Sequence, residues 1–418
     1  MQSSTTISNN NKFLKSQVVV KKYGGTSVGT SERIMNVALR IKKDVERGEK
    51  PVIVVSAMSG ETNRLVGLAQ SIDPYSRGPA YDLLLASGEQ VTVGLLSIAL
   101  EKVGLKAQPL LAFQLGIETD SVYSKARITN IRTDVLNKCL ESNIIPVVAG
   151  FQGIDEHQNI TTLGRGGSDT TGVALAAALG SGQCEIYTDV PAVCSADPRL
   201  VPKASEISKL SFEEMMEMAS VGSKVLHIRS VEIGAKYNVR IHLRSTFEER
   251  EGTWIVPEGE IMEQAVVSSV THDPNTVIFK LYPVPPETNF LASLFTELAE
   301  KGVVVDIITQ SQGEKGQRLA FSVTQEDLPL AEKTLKELGD GSDFGTEIIK
   351  KMAKISVVGV GMRNHPGVAA RFFSVLSKLN VPIHLVTTSE IKISAVIDDI
   401  HLKEAATALH TEFALDHL

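Results

Sequence analysis

With 418 residues, 43% of them hydrophobic and 22% charged, the chain has the make-up of a globular protein of two or three domains. Its formal net charge of −7 argues against broad nucleic-acid binding, which needs a basic face. No apolar run approaches the roughly 18 residues that span a bilayer, and the three cysteines, Cys139, Cys184 and Cys194, lack CxxC spacing and point to a reducing cytoplasm rather than to zinc or disulfides.

The first segment, MQSSTTISNNNKFLKSQ (1–17), is polar and has no apolar core. It reads as a disordered tail and not as a secretory signal. From residue 18 to 256 strand-like and helix-like patterns alternate. QVVVKKY, KPVIVVSAM, NIIPVVAGFQGI and QCEIYTDV are short β-branched runs that look buried. Helical patterns lie between them: TSERIMNVALRIKKDVERG, LLLASGEQVTVGLLSIALEKVG, ARITNIRTDVLNKCLESN and TTGVALAAALGSG. The first two end at Gly48 and Gly104, as helix C-caps often do. This alternation predicts an α/β fold with a mainly parallel sheet covered on both faces, binding ligands at the carboxyl ends of its strands. The stretch from Ser211 to Glu258 reads as two helices and then strands, and Pro257 and Gly259 open a linker.

Residues 264–418 contain a repeat. LASLFTELAEKGVVVDIITQS resembles ARFFSVLSKLNVPIHLVTTSE, with Thr309 aligned to Thr387. Each copy, about 277–340 and 353–418, predicts a small α+β sandwich of ferredoxin-like type.

Several motifs carry chemistry. In KKYGGTSVG a glycine pair follows a strand, permits positive φ, and lets backbone N–H groups converge on an anion. Alternation sends Lys21 and Lys22 to opposite faces, so Lys22 can point at that anion. The competing reading is a glycine turn with two solvated lysines. In TTLGRGGSDTTGVALAAALG three glycines surround Arg165, whose planar fork suits a carboxylate or phosphate. Ser168, Asp169 and Thr170 are N-cap types, and Asp169 either caps the helix or pairs with Lys22. Glu89, in LASGEQ, is an exposed helix charge or a partner for a substrate ammonium. Thr188 and Asp189 end a strand in YTDVPAVCSADPRL, where they suit a base or ribose or simply make a turn. Lys224 in VGSKVLH is a phosphate contact or a surface lysine. The set is a cationic centre without a Ser-His-Asp pattern or a metal-ligand cluster. It suggests phosphoryl transfer by positioning and charge neutralisation.

KKYGGTSV, VVSAMSGETN, ASGEQ, TTLGRGGSDTT, YTDVPAVCSADPRL and GSKVLHIRSVE, in this order, resemble the motifs of the bacterial aspartate kinase family. ISVVGVGMRNHPGVAARFF with VTTSEIKISAVI resembles that family's second ACT domain. The likeness spans about residues 18–415. It implies an amino-acid-kinase three-layer sandwich, residues 18–256, followed by tandem ACT domains. It implies ATP as co-substrate with Mg2+ held mainly by the phosphates, and conversion of L-aspartate to 4-phospho-L-aspartate on the way to lysine, threonine, methionine and diaminopimelate. By the family pattern Lys22 meets the transferred phosphoryl group and Asp169 organises it. Arg165 takes an aspartate carboxylate and Glu89 its ammonium, with Thr62, Gly166, Gly167 and Ser168 close by. Tyr23, Gly24, Gly25 and Ser56 approach the phosphates. Thr188, Asp189, Cys194, Ser195, Asp197, Arg199 and Lys224 surround ATP, with Cys194 where relatives often carry tyrosine.

The ACT pair implies feedback by lysine, threonine or both, at Asp306 and Gln310 in the first copy and Val368, Ala369, Ile383, Ser389 and Glu390 in the second. In the first copy Pro286 and Asn289 replace the Asp and Gly of a usual Asp-Lys-Pro-Gly turn, and Pro382 replaces a common asparagine. These departures predict weakened or altered inhibition. Tandem ACT units imply a homodimer or larger assembly, with no nucleic-acid or membrane partner. The rival readings are a catalytically degenerate amino-acid sensor, a kinase of another small acid, and a dinucleotide-dependent oxidoreductase. The missing GxGxxG disfavours the last.

Overall fold

A computed structural model describes residues 17–223, 225–262, 265–284, 288–313, 316–339 and 344–417. Contacts divide the chain into two compact units. The first runs to Val193 and takes in Glu206–Ala219 and 225–262. The second holds Cys194–Ser205, Ser220–Ser223 and the residues beyond Met262. The boundary is therefore not a single cut after residue 256, because two short segments of the kinase half of the sequence belong to the second unit.

The first unit opens with β1 (Val18–Tyr23), α1 (Ser31–Glu46), β2 (Lys50–Val55), α2 (Glu61–Ile72) and α3 (Pro79–Lys102). Next come β3 (Ala107–Leu110), the one-turn α4 (Ala112–Leu115), β4 (Ile117–Thr119), β5 (Ile128–Ile131), α5 (Asp134–Glu141), β6 (Ile145–Ala149), β7 (Gln152–Ile154) and β8 (Ile160–Thr162). It finishes with α6 (Gly167–Leu179), β9 (Gln183–Thr188), β10 (Lys209–Ser211), α7 (Phe212–Ser220), α8 (Ile228–Tyr237), β11 (Arg240–Ser245) and β12 (Thr253–Val256). The main sheet has the order β10-β12-β11-β9-β1-β2-β6-β3 and is parallel except that β12 opposes β11. Tyr23, Ile53, Val55 and Ala149 on one face pack against Ile34, Val37 and Ile41 of α1 and Val93, Leu96 and Leu100 of α3.

Three expectations change. ARITNIRTDVLNKCLESN is not one helix: Ile128–Ile131 pairs with β4, and only Asp134–Glu141 is helical. The alternation in ITNI, given a strand partner, overrides the weak helical period. NIIPVVAGFQGI breaks at Phe151 (φ +70) into β6 and β7, which lie in different sheets, the second being β5-β4-β7-β8. Finally, α3 is long and apolar enough to cross a membrane by length and composition. More than half of that stretch is buried, much of it against α1 and β6, so its apolar length is explained by the core of the first unit.

The second unit contains β13 (Ser269–Val284), α9 (Thr288–Glu300), β14 (Val305–Gly313), β15 (Gly316–Thr324), α10 (Leu328–Gly339), β16 (Gly345–Val358), α11 (Val368–Lys378), β17 (Ile383–Thr388), β18 (Lys392–Asp398) and α12 (Leu402–Glu412). Its antiparallel sheet has the order β14-β15-β13-β16-β18-β17. The repeat is visible as α9–β14 and α11–β17, a helix followed by an edge strand. β13 serves both copies: Ser269–Asp273 pairs only with β16, whereas Thr276–Leu281 also pairs with β15. One core joins Phe279, Leu281, Leu294, Leu298 and Phe321. Another joins Ile355, Val357, Phe372, Leu376 and Leu409 with Ala196 and Val201 from the inserted segment.

Candidate active site

β1 lies between β2 and β9, with Lys22 across from Val54 and Ile186. Both of its lysines are buried, which removes the solvated-turn reading. Lys21 enters a cage of carboxylates: Asp44 of α1 at 2.7 Å, Glu49 at 2.6 Å and Glu185 at 3.2 Å. Burial opposes its charge, but Glu185, Tyr187, Asp44 and Glu49 outweigh that and raise its pKa above the ordinary value. Burial likewise pushes Glu185 up, yet Lys21, Tyr187 and Arg244 hold it below the usual carboxylate range. Lys22 faces the other way, its Nζ 2.5 Å from Asp169 Oδ1. The small residues of α6 permit this approach. A Cβ on Gly172 would come 3.2 Å from Lys22 Cβ and 3.3 Å from Cys184 Sγ.

Neither Asp169 nor Ser168 caps the helix. The N-cap of α6 is Gly166, without a side-chain cap, and Ser168 and Asp169 fall in the first turn. Gly167 N donates to Gly164 O at 2.9 Å and Thr170 N to Gly166 O at 3.1 Å, and a helix start without a side-chain cap suits an anion. Gly24 and Gly25 do not take positive φ, contrary to expectation. Gly25 is needed for close approach, since a Cβ there would sit 2.8 Å from the Ala57 carbonyl oxygen, whereas one on Gly24 would make only ordinary contact, 3.4 Å from Lys22 Nζ. The turn is fixed by Gly24 N donating to Tyr187 O at 3.0 Å and Ser59 N donating to Gly25 O at 3.1 Å. Across it, the Ser56 and Ser168 hydroxyls are 2.6 Å apart. Tyr23 turns its ring away to stack on Tyr187 at 4.7 Å, so only its backbone borders the turn.

Glu89 is buried, not exposed. Its Oε1 accepts from Ala57 N at 3.0 Å, while Oε2 is buried without a hydrogen-bond partner among the described residues. Burial raises its pKa to about 7. Ala57, which the sequence did not single out, therefore touches Gly25 through its oxygen and Glu89 through its nitrogen. Thr62, near the start of α2, is half-buried.

Arg165 is exposed between Gly164 (φ +78) and Gly166 (φ +66), while Gly167 is buried at the helix start. Three residues missed in the sequence support its loop. Asp82, fully buried on α3, accepts from Thr162 N at 2.6 Å and from Ser124 N and Oγ at 2.9 and 3.0 Å. Arg229 and His227 are the other two. Asp82 lacked any local motif; His227 and Arg229 sat inside one, but Arg229 donates to carbonyls far along the chain and the His227 side chain packs over Gly166.

At the end of β9 Thr188 Oγ1 donates to Asp189 Oδ1 at 3.2 Å. Cys194, Ser195, Asp197 and Arg199 belong to the second unit. Ser195 is fully buried: its hydroxyl lies 2.9 Å from His410 Nε2 and accepts from Ser205 N at 2.9 Å, which closes that side chain to a nucleotide. Arg199 folds back on Asp197, Nη2 to Oδ2 at 2.7 Å, and lowers the pKa of that carboxyl. Lys224 and Pro286 lie outside the described residues.

Among the expected effector positions, Asp306 is paired with Lys354 and Gln310 donates to Gln317 Oε1 at 2.6 Å. Val368 and Ala369 follow Gly367, whose φ is +99 with open space above it. Asn289, the corresponding region of the first copy, is exposed at the start of α9. Ile383 is partly exposed on edge strand β17, Ser389 N donates to Lys392 O at 2.8 Å, and Glu390 pairs with Arg363 at 3.3 Å.

Residues 17–245 match the model of the amino acid kinase family, and residues 355–413 match that of an ACT domain. The chain is 46% identical to the aspartokinase of Pseudomonas aeruginosa over 406 residues, 96% of this chain and 98% of that one. To aspartokinase 2 of Bacillus subtilis it is 43% identical over 399 residues, 95% and 98% of the two chains. The crystal structure of E. coli aspartokinase III in complex with aspartate and ADP superposes with a TM-score of 0.80 over 94% of this chain and 99% of that one. At 23% identity that likeness speaks for the fold. The aspartate kinase from Synechocystis is 38% identical with a TM-score of 0.55, covering 95% of this chain and 69% of that one. Matched along nearly its whole length, the chain belongs to the aspartokinase family of phosphotransferases, with an amino-acid-kinase fold followed by an ACT region.

Proposed function

We propose that this chain transfers the γ-phosphoryl group of ATP to the β-carboxylate of L-aspartate, giving 4-phospho-L-aspartate and ADP, ahead of lysine, threonine, methionine and diaminopimelate synthesis. The observation that carries the reading is the Lys22–Asp169 pair at the uncapped start of α6, tied through the Gly25–Ala57 contact to a buried Glu89 oxygen that lacks a partner. A relative of the same fold was solved with aspartate and ADP.

The acceptor needs no general base, because a β-carboxylate is already ionised at neutral pH. Its obstacle is the triphosphate. Two unit charges about 4 Å apart repel by roughly 4 kcal/mol at an effective dielectric near 20. Lys22, aimed by Asp169, offsets that repulsion where the charges meet. A carboxylate oxygen then forms the new bond to the γ-phosphorus. The bond to the bridging oxygen breaks, and its electron pair leaves with ADP. The glycine turn, packed so closely that a Cβ on Gly25 would lie 2.8 Å from the Ala57 carbonyl oxygen, is assigned to the phosphates on the family pattern. Asp169 is engaged by Lys22, so Mg2+ is assigned mainly to the phosphates of the nucleotide, where it neutralises part of their charge. Arg165 takes the aspartate α-carboxylate and Glu89 its ammonium, with Thr62 and Ser168 beside them. Thr188 and Asp189 are assigned to the base and ribose.

The ACT region is assigned feedback by end-product amino acids and pairing between copies of the chain. Gly367 leaves room for an effector's backbone in the second copy, whereas Asn289 removes that freedom in the first, which supports an altered response. A hydroxamate assay with ATP and either aspartate or glutamate, run with and without lysine and threonine, tests the whole reading. Aspartate-dependent product with weak effector inhibition is expected. Absence of aspartyl hydroxamate, or equal use of glutamate, overturns the catalytic reading; strong inhibition by micromolar lysine plus threonine overturns the regulatory one.

A further inference from the structure

The first turn of α8 brackets Arg165 from both sides. The Arg229 guanidinium donates to the Leu163 carbonyl at 2.5 Å and to the Ala126 carbonyl at 2.9 Å. On the other side the His227 side chain fills the space over Gly166, where a Cβ would lie 2.2 Å from His227 Cβ. That turn is itself braced, since Ser230 Oγ donates to His227 O at 2.6 Å. Between the brackets Arg165 has a left-handed glycine on each side. Such a loop has little stiffness of its own, and ordering it costs backbone entropy.

The Ala126 carbonyl adds a third element. Ala126 N donates to Thr162 O at 3.0 Å, and Asp82 holds both Ser124 and Thr162. Arg229 thus closes a ring through α8, the Arg165 loop and the segment between β4 and β5. A planar fork of five N–H groups can reach two carbonyls from separate segments, which a lysine ammonium cannot match in geometry. Charge-assisted bonds of this kind are about twice as strong as neutral ones. Arg229 is half-buried, yet the partners it donates to here are neutral carbonyls rather than acids, so its charge is spent on holding backbone.

We propose that Arg229, backed by His227, is a positioning residue for the amino-acid substrate: it fixes the loop that aims Arg165 at the substrate carboxylate. The inference rests on the assignment of Arg165 made above. Two readouts on the full chain test it. The first is amide hydrogen exchange of residues 163–168, which does not depend on turnover. The second is the pair of steady-state KM values for aspartate and ATP. In Arg229→Gln, exchange in that loop speeds up and the aspartate KM rises by about 10- to 100-fold while the ATP KM stays within about twofold. Arg229→Lys falls between the two, because one carbonyl can still be reached. Should Arg229→Gln not fold, Arg229→Lys alone decides, in the same direction. Unchanged exchange in the loop, an aspartate KM within twofold of the parent, or equal rises in both KM values overturns the proposal. If the parent makes no aspartyl phosphate, the functional reading fails by itself, and the exchange experiment still judges the anchor.

Discussion

Lys21 and Lys22 are neighbours on β1, and the two faces of that strand use the same side chain for different ends. On one face three carboxylates close around Lys21, with Arg244 and Tyr187 behind Glu185. On the other, among the described residues, one carboxylate meets Lys22, beside a glycine turn and a helix start that lacks a side-chain cap. The caged cation has its field cancelled locally and locks the strand to α1 and β9. On the proposed reading the singly paired cation keeps a field to offer, beside the uncapped start of α6. Stability and chemistry are thereby separated by one residue along the chain.

The largest effect that sharpens this contrast is kinetic. Lys22→Ala should lower kcat by about 10³-fold or more, as loss of a preorganised transition-state contact does. Asp169 is buried and loses its partner, so the variant should also be less stable, and its turnover is read on the folded protein. Near-parental turnover in a folded Lys22→Ala protein would break the contrast at its functional end. Next comes Lys21→Met, where the effect should be on stability. Removing one partner of a buried ionic group costs about 3–5 kcal/mol, measured by urea unfolding at pH 8. The parent's Glu185 is held below its ordinary value, so its contribution is present above the carboxylate range and is lost as pH falls through it. In the variant the orphaned carboxylates take up protons sooner, so the deficit should narrow as the pH is lowered toward about 5. Folded Lys21→Met should keep the parental aspartate KM. A variant equally stable but catalytically dead would reverse the roles of the two faces.

The same strand shows what was legible in the sequence. Alternation placed the two lysines on opposite faces, and the order of the glycine motifs located the site on β1 and α6. What the sequence did not reveal is made by long-range backbone partners. Ala57 matters through its amide and carbonyl, which leave no trace in residue type. Asp82 and Arg229 bind carbonyls and amides far along the chain. Glu89 looked like a surface charge because a 24-residue helix offers many solvent-facing positions, and only packing against Ala57 decides its burial. The stretch Cys194–Ser205 reads like a loop of the kinase half, but Ala196 and Val201 have found their apolar partners in the second unit. Composition carries no label for which core a loop will join.

Glu89 supplies the smallest effect and the one that links stability to function most directly. Its pKa of about 7 has burial as its first cause, and only backbone N–H groups oppose it. For a carboxyl whose folded pKa lies above its unfolded one, the neutral form is favoured in the fold. Stability is therefore lost as pH rises from about 4.5 through 7, by an amount on the order of 2–3 kcal/mol. Glu89→Gln removes that loss, so it should be more stable than the parent at pH 8 and no more stable at pH 4.5. The ammonium of aspartate needs the ionised form. In the parent the aspartate KM should accordingly rise as pH falls below about 7, while in Glu89→Gln it should be raised about tenfold or more at every pH and lose that slope. Thermal unfolding at the two pH values, with a KM–pH profile, measures both halves. A Gln variant that is destabilised at pH 8, or that keeps the parental pH slope, would show that the buried oxygen waits for something other than the substrate's ammonium.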